Sequence, residues 1–308
     1  MNEEYSPQKR ATIVSSSVAM FLVMLKLMIG FLSGSVAVLA SAIDSILDMA
    51  VSVFNYFAIK KAEENPNEEY QYGKGKIQAI AAVIEGTIIT ISGLFIIYVG
   101  INKLYTSSET TLLTPSIVVM SISMGITYFL VQYLSRVAKE TDNLVIKTDA
   151  LHYKTDLWSN ATVLFSLVLV YLTDFDWIDA LFGIGIGIYI IYSAYEIIVE
   201  GIGILLDRAF DSEMVANIGE IISKHPEVTS YHWLHTRTDG TTNFVEFHMV
   251  LRPNIRLLEA HRIADEVEDE MRELDRRKHW VITPHFDPYD DEAVNEVMMH
   301  GKRLIEKD

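Results

Sequence analysis

At 308 residues, half of them hydrophobic and with a formal net charge of −16, the chain is long enough for two domains and too acidic to hold nucleic acid, whose phosphates it would repel. The same negative balance suits a protein that deals with cations. No cysteine is present, which excludes disulfides and thiolate metal sites and leaves His and carboxylate to hold any metal.

The apolar residues crowd into the first two thirds, so the chain reads as a membrane part followed by a soluble tail. Met1 to Arg10 is a polar leader carrying Lys9 and Arg10. No cleavable signal is expected: Ala40-Ser41-Ala42 is cleavage-like, but the apolar stretch before it is far longer than a signal core. Ala11 to about Phe31 is apolar for roughly 20 residues, enough to cross a bilayer. Ser33-Gly34-Ser35 turns the chain into a second span from Val36 to about Ile59, closed by Lys60 and Lys61. After the polar loop Glu63 to Lys76, span three covers about Ile77 to Ile101, and Lys103 to Thr111 links it to span four, about Leu112 to Leu134. Arg136 and Lys139 close that span; the fifth reads about Leu144 to Leu172, Thr173 to Asp176 is a turn, and the sixth runs from Trp177 to about Leu206.

Six spans put both termini on one side. Lys9, Arg10, Lys60, Lys61, Lys74, Lys76, Arg136, Lys139 and Lys147 flank the loops of that side, against Lys103 on the other, so the positive-inside rule predicts cytoplasmic termini.

Two spans carry charge where charge is costly. Asp44 and Asp48 on span two, and His152 and Asp156 on span five, are each spaced i, i+4, which sets each pair on one helix face a turn apart. Asp44 and Asp48 lie about 8 and 12 residues into a span entering from outside, roughly 12 and 18 Å down; His152 and Asp156 lie equally far into a span rising from the cytoplasm. In a hydrocarbon core of about 30 Å the two pairs meet near the middle, where an unpaired Asp costs about 2.5 kcal/mol or more. Three carboxylates and one imidazole form a shell that tetrahedral Zn²⁺ accepts, with Cd²⁺, Co²⁺ or Fe²⁺ as substitutes, whereas Ca²⁺ and Mg²⁺ want more oxygens. Metal and protons compete for the same atoms, a chemical basis for exchange. Lys26 in span one and Glu85 in span three each read as isolated, explained by a mutual ion pair or by snorkelling. The Gly183, Gly185, Gly187 run has no strand before it and reads as close helix packing rather than a dinucleotide loop.

The tail is expected to run α-β-β-α-β: helix Ser212 to Lys224, strands Val228 to Thr238 and Thr242 to Leu251 around Asp239-Gly240, helix Leu257 to Leu274, strand Trp280 to Phe286. This is a small ferredoxin-like α+β module. Eight of the nine histidines lie here or in the extension after it. A hairpin symmetric about Gly240 sets His232 opposite His248, and His285 and Asp287 at i, i+2 share one side of a strand. His261 sits on the second helix; as a set these residues are expected to bind metal.

Taken together, the six spans, the Asp-x-x-x-Asp of Asp44 and Asp48, the His-x-x-x-Asp of His152 and Asp156 and the soluble C-terminal domain resemble the cation diffusion facilitators, zinc-type metal/proton antiporters, over essentially the whole chain. The resemblance implies residues 1–207 as a transport domain and 208–308 as a cytoplasmic metal-binding and dimerisation domain, its core ending near 290. It implies a homodimer in the lipid bilayer, a bacterial inner membrane being the expected one, that exports metal from the cytoplasm and is not an enzyme. His152 leading the second pair resembles the zinc and cadmium branch, sometimes iron or cobalt, rather than the manganese branch. Lys76 and Asp207 match a charge interlock at the dimer junction; His232, His248, His261, His285 and Asp287 match a cytosolic metal site at the dimer interface, while His225, His235, His279 and His300 match nothing. The loop after span two, which in the zinc branch often holds a further site of Asp and His, has Asn67, Tyr70 and Lys74 at the matching positions, with Glu68 and Glu69 a weak substitute; a lysine opposes a cation, so no site is expected there. An intramembrane metalloenzyme is the contrasting reading, disfavoured by the lack of His-Glu-x-x-His and of a nucleophile beside the ligands; an uncoupled channel or sensor differs only in coupling.

Overall fold

The structure, a computed structural model, describes residues 6–33, 36–105, 114–173 and 177–290. The expected turns at 34–35 and 174–176, most of the 103–111 link, His300 and the extension after 290 lie outside the described residues, as do some side chains within the helices, Asp44's among them. The chain divides into two compact units, residues 1–205 and 206–308.

Six long helices build the first unit: α1 Pro7–Ser33, α2 Val36–Ala62, α3 Ile77–Tyr105, α4 Thr114–Thr141, α5 Leu144–Thr173 and α6 Trp177–Leu205. Three of them, over Pro7–Ile29, Ile77–Asn102 and Ala180–Leu205, are long and apolar enough to cross a membrane by length and composition. Their starts follow local chemistry. Ser6 accepts a hydrogen bond from the Lys9 N–H on its Oγ at 3.3 Å, ahead of Pro7, whose fixed φ suits a first helical turn. Asn143 caps α5 in the same way, its Oδ1 accepting from the Ile146 N–H at 3.1 Å. At the other end of the unit, α6 stops before Asp207, which takes a left-handed φ of 56°.

Small residues fix how α3 and α6 pack. Ala79, Gly86, Gly93 and Gly100 on α3 meet Gly201, Ala194, Gly187 and Ala180 on α6, antiparallel and in steps of seven. A Cβ on Gly187 would stand 2.9 Å from the Gly93 carbonyl oxygen and 2.6 Å from Ile97 Cγ1, so the backbones approach as only glycine permits. The close packing expected of the 183–187 run thus belongs to Gly187: among the described residues a Cβ at Gly183 or Gly185 would have nothing within 4 Å, because those positions face away from the seam. A second core, of Ile59, Leu134, Ile146 and Tyr153, joins α1, α2, α4 and α5 to Ala81 of α3.

The second unit is α7 Ser212–Lys224, β1 Val228–Thr238, β2 Thr242–Leu251, α8 Leu257–Arg272 and β3 His279–Asp287. Asp211 caps α7 by accepting from the Met214 N–H at 2.8 Å. Asp239 Oδ1 accepts from the N–H groups of Thr241 and Thr242 at 2.8 and 2.7 Å, and Gly240 supplies the positive φ, 96°, that the hairpin turn requires. The sheet order is β1-β2-β3, with β1 antiparallel and β3 parallel to β2. Among the described residues this is the βαββαβ order less its first strand, a three-stranded rather than four-stranded sheet. Strand alternation turns Val245, Phe247 and Met249 of β2 into one face, where Ile218 and Ile222 of α7 and Ile263 and Val267 of α8 cover them.

Candidate metal centres

In the helical unit, α2 and α5 bring Asp48, His152 and Asp156 together. One ligand atom from each lies within 4.8 Å of the others. His152 Nε2 stands 3.1 Å from Asp48 Oδ1 and 3.8 Å from Asp156 Oδ2. The imidazole is nearly buried and the carboxylates are partly open, so the cluster has both a rigid nitrogen donor and access. Tyr153 helps seat α5 against α2, its hydroxyl 2.8 Å from Ser52 Oγ in the buried interior. Asp44 occupies α2 one turn before Asp48; its side chain is outside the described residues.

A second polar group stands on the cytoplasm-facing side predicted for these helices, and sequence reasoning missed it. Asn55 Nδ2 donates to Glu85 Oε2 at 3.0 Å and to Asp149 Oδ1 at 3.4 Å, and all three residues are buried. Glu85 is therefore not isolated. Lys26 has a separate partner, its Nζ donating to Ser45 Oγ at 2.7 Å. The missed signal was one more turn of the same periodicity: Asp149 precedes His152 by three residues and Asp156 by seven, on the same face of α5.

In the loop after α2 the lysines take the place of a cation. Lys74 and Lys61 both donate to Glu64, at 2.8 and 2.7 Å, and Lys74 lies 4.8 Å above the Tyr70 ring. Hydrogen bonds from Lys61 and Lys74 hold the Glu64 carboxyl down to about 2. Asn67 Oδ1 is engaged by the N–H groups of Glu69 and Tyr70. Lys76 Nζ donates to the Leu205 carbonyl at 3.3 Å, and in the other unit Arg237 donates to Asp207 at 3.5 Å.

The soluble unit carries a row of histidines across its sheet. His232 pairs with His248, and His248 with His285, in the strand register; neighbouring rings are 4.9 and 4.6 Å apart. The row occupies the face opposite the helices, because each His alternates with a core residue of its strand. A bulge between His232 and His235, with Trp233 at φ 51°, returns both Tyr231 and Leu234 to the core and seats Trp233 4.6 Å from the His248 ring. Asp287, two residues further along β3, sits at the row's centre: its Oδ2 is 2.8 Å from His248 Nδ1 and 3.4 Å from His232 Nε2, its Oδ1 3.3 Å from His285 Nε2. Imidazoles around a buried carboxylate are a donor set that fits a borderline divalent metal. His261 stands apart on α8, exposed and 3.8 Å from Asp265. His225 pairs with Glu266, and His235 accepts from the Trp233 indole N–H at 3.0 Å.

Residues 12–206 match the cation efflux transmembrane domain and residues 210–289 the cytoplasmic domain of cation efflux proteins. The chain is thus an integral membrane transporter of the cation-efflux class with a cytoplasmic domain. It belongs to the cation diffusion facilitator family. The cation-efflux pump FieF of Citrobacter koseri is 34% identical over 271 residues, spanning 87% of this chain and 89% of that protein. FieF of Escherichia coli O1:K1 / APEC is 32% identical over the same shares. Among solved structures, the MamB CTD magnetosome protein of Desulfamplus magnetovallimortis BW-1 matches 26% of this chain and 99% of its own at 20% identity, with a TM-score of 0.24.

Proposed function

We propose that the chain is a proton-coupled antiporter that exports a divalent transition metal from the cytoplasm, Zn²⁺ first, with Cd²⁺, Fe²⁺ and Co²⁺ accepted. The observation that carries this reading is the convergence of Asp48, His152 and Asp156 from the long helices α2 and α5. Asp44, a turn earlier on α2, is the fourth ligand. Three carboxylates and an imidazole bind protons and a borderline metal with the same lone pairs, so loading one releases the other. If the helices open the site to each face in turn, metal leaves and protons enter. The FieF relatives, named as cation-efflux pumps, support the direction of transport.

Residues 1–207 then form the transport domain with six spans, both termini in the cytoplasm of a bacterial inner-membrane protein, and 208–308 sense cytosolic metal and join two copies. In that homodimer His232, His248, His285 and Asp287 hold regulatory metal, His261 contributes once a second chain is present, and Lys76 and Asp207 form the charge interlock at the junction.

The test is metal uptake into proteoliposomes under an imposed pH gradient, comparing Zn²⁺, Cd²⁺, Fe²⁺ and Mn²⁺ for the native chain and Asp48→Ala. Uptake that needs the gradient and is lost in Asp48→Ala is the expected outcome. Equal uptake by the mutant would remove the intramembrane cluster from the mechanism, and uptake indifferent to the gradient would make the protein an uncoupled channel.

A further inference from the structure

The buried acids Glu85 and Asp149 have no role in the metal cluster, yet among the described residues they are the least exposed carboxylates of the helical unit, at 1% and 0%. They come from different helices and share a single donor group, the Asn55 amide. That amide supplies one N–H to each, and the remaining oxygens, Glu85 Oε1, Asp149 Oδ2 and Asn55 Oδ1, are buried acceptors with no hydrogen-bond partner among the described residues. Two ionised carboxylates bridged by one neutral amide in a buried site are costly: the Ser15 and Ser52 hydroxyls and His152 offset the charge on Asp149 only in part, and the mutual repulsion and desolvation of the pair remain. A proton on one of them removes a charge and turns an orphaned acceptor into a donor.

The surroundings agree. His152 is the titratable group that faces both acids, with Asp48 and Asp156 beyond it around Tyr153. Hydroxyls of Ser15 on α1 and Ser52 on α2 flank Asp149. On α6, Glu196 is exposed and Glu200 is paired with Lys147, outside the pocket. Towards the ends of α3 and α5 that begin at the predicted cytoplasmic side, the next buried polar pair is Asn143 and Gln78, the Asn143 amide donating to Gln78 Oε1 at 2.9 Å. Along α3 and α5 the buried polar groups thus follow in the order Gln78 with Asn143, the acid pair, and the metal cluster.

We infer that Glu85 and Asp149, bridged by Asn55, form a proton-binding site separate from the metal ligands, which holds a proton when the metal cluster is empty and releases it when a divalent cation binds one turn away. The inference rests on the exporter reading above. Its physical cause is repulsion: two positive charges arriving at Asp48, His152 and Asp156 favour an ionised acid pair nearby. A part of the proton countermovement is thus carried by residues that never touch metal.

The experiment counts protons released per Zn²⁺ bound by the full chain in weakly buffered detergent solution, for the native protein, Glu85→Gln and Asp48→Asn, beside pH-driven zinc uptake by the same proteins. Glu85→Gln keeps the size and the Asn55 hydrogen bond, so zinc is expected to bind within a few-fold of native affinity while the proton count falls by up to about one. Asp48→Asn is expected to lose the intramembrane zinc and its protons together. Protons released by the soluble histidine row are common to all three proteins and cancel in the comparison. An unchanged count in Glu85→Gln, beside intact native exchange, overturns the acid-pair site alone; native vesicles indifferent to the pH gradient overturn the exporter reading instead. Should Glu85→Gln not fold, Asp149→Asn takes its place. Infrared spectroscopy of the native protein gives the independent reading: a protonated-carboxyl carbonyl stretch present without metal and removed by Zn²⁺ is expected, and its absence without metal overturns the proposal.

Discussion

Zinc, cadmium and manganese weigh an imidazole nitrogen against a carboxylate oxygen differently, and His152 supplies the nitrogen of the cluster between α2 and α5. Replacing it by Asp makes the donor set all oxygen and suits harder ions. His152→Asp is therefore expected to lower Zn²⁺ uptake by at least about tenfold while Mn²⁺ uptake holds or rises, as measured by competition in the same vesicles. The cluster was legible from spacing because a helix turns i and i+4 onto one face, and charge in an apolar stretch draws attention to itself. Asp149 obeys the same periodicity but sits near the polar start of α5, beside Lys147, where a carboxylate looks unremarkable in sequence. Only the packing of α3 against α5, which brings Glu85 within reach of the same amide, gives it meaning. His232 and His248 were legible as cross-strand neighbours; the bulge at Trp233, which seats one aromatic ring against the row, had no sequence signal.

At the scale of elements, helix and strand limits followed from apolar run length, flanking basic residues and the Asp239-Gly240 turn, all local signals. The seam between α3 and α6 was only half legible. A glycine run suggested close packing, but which glycine packs depends on the phase of the partner helix, and that is long-range information. Gly187→Val is expected to destabilise the helical unit by about 1–3 kcal/mol or more through overpacking against Ile97 and the Gly93 carbonyl, read as a fall in melting temperature. Gly185→Ala, where a Cβ meets open space, is expected to leave the melting temperature within a degree or so of native. The loop after α2 illustrates the opposite case. Lys74 was readable as a charge that would repel metal, and the structure gives it a positive task, neutralising Glu64 beside Lys61.

For the whole molecule, the composition shift between the apolar first two thirds and the charged tail marked two parts, and the structure has a unit on either side of residues 205 and 206. How two copies meet is not written in one chain's composition, since an interface is completed by surfaces from both. The proposed interlock makes it testable: Lys76→Glu or Asp207→Lys alone is expected to weaken zinc uptake and dimer formation, and the double reversal to restore both, measured by flux and light scattering.

The seven-residue step along α3 and α6 limits how that pair can move. Each glycine or alanine of one helix receives a backbone carbonyl of the other, and the residues between are bulky, Ile97, Ile184, Ile191 and Ile198 among them. The two helices mesh like a rack whose teeth are about 10.5 Å apart. A slide of one turn would drive isoleucine into a glycine notch, so α3 and α6 can rock against each other or travel together, but not shear past one another. In the proposed exchange cycle, motion of this pair is thus confined to rocking about the seam or to displacement of the two helices together, with no change of register between them.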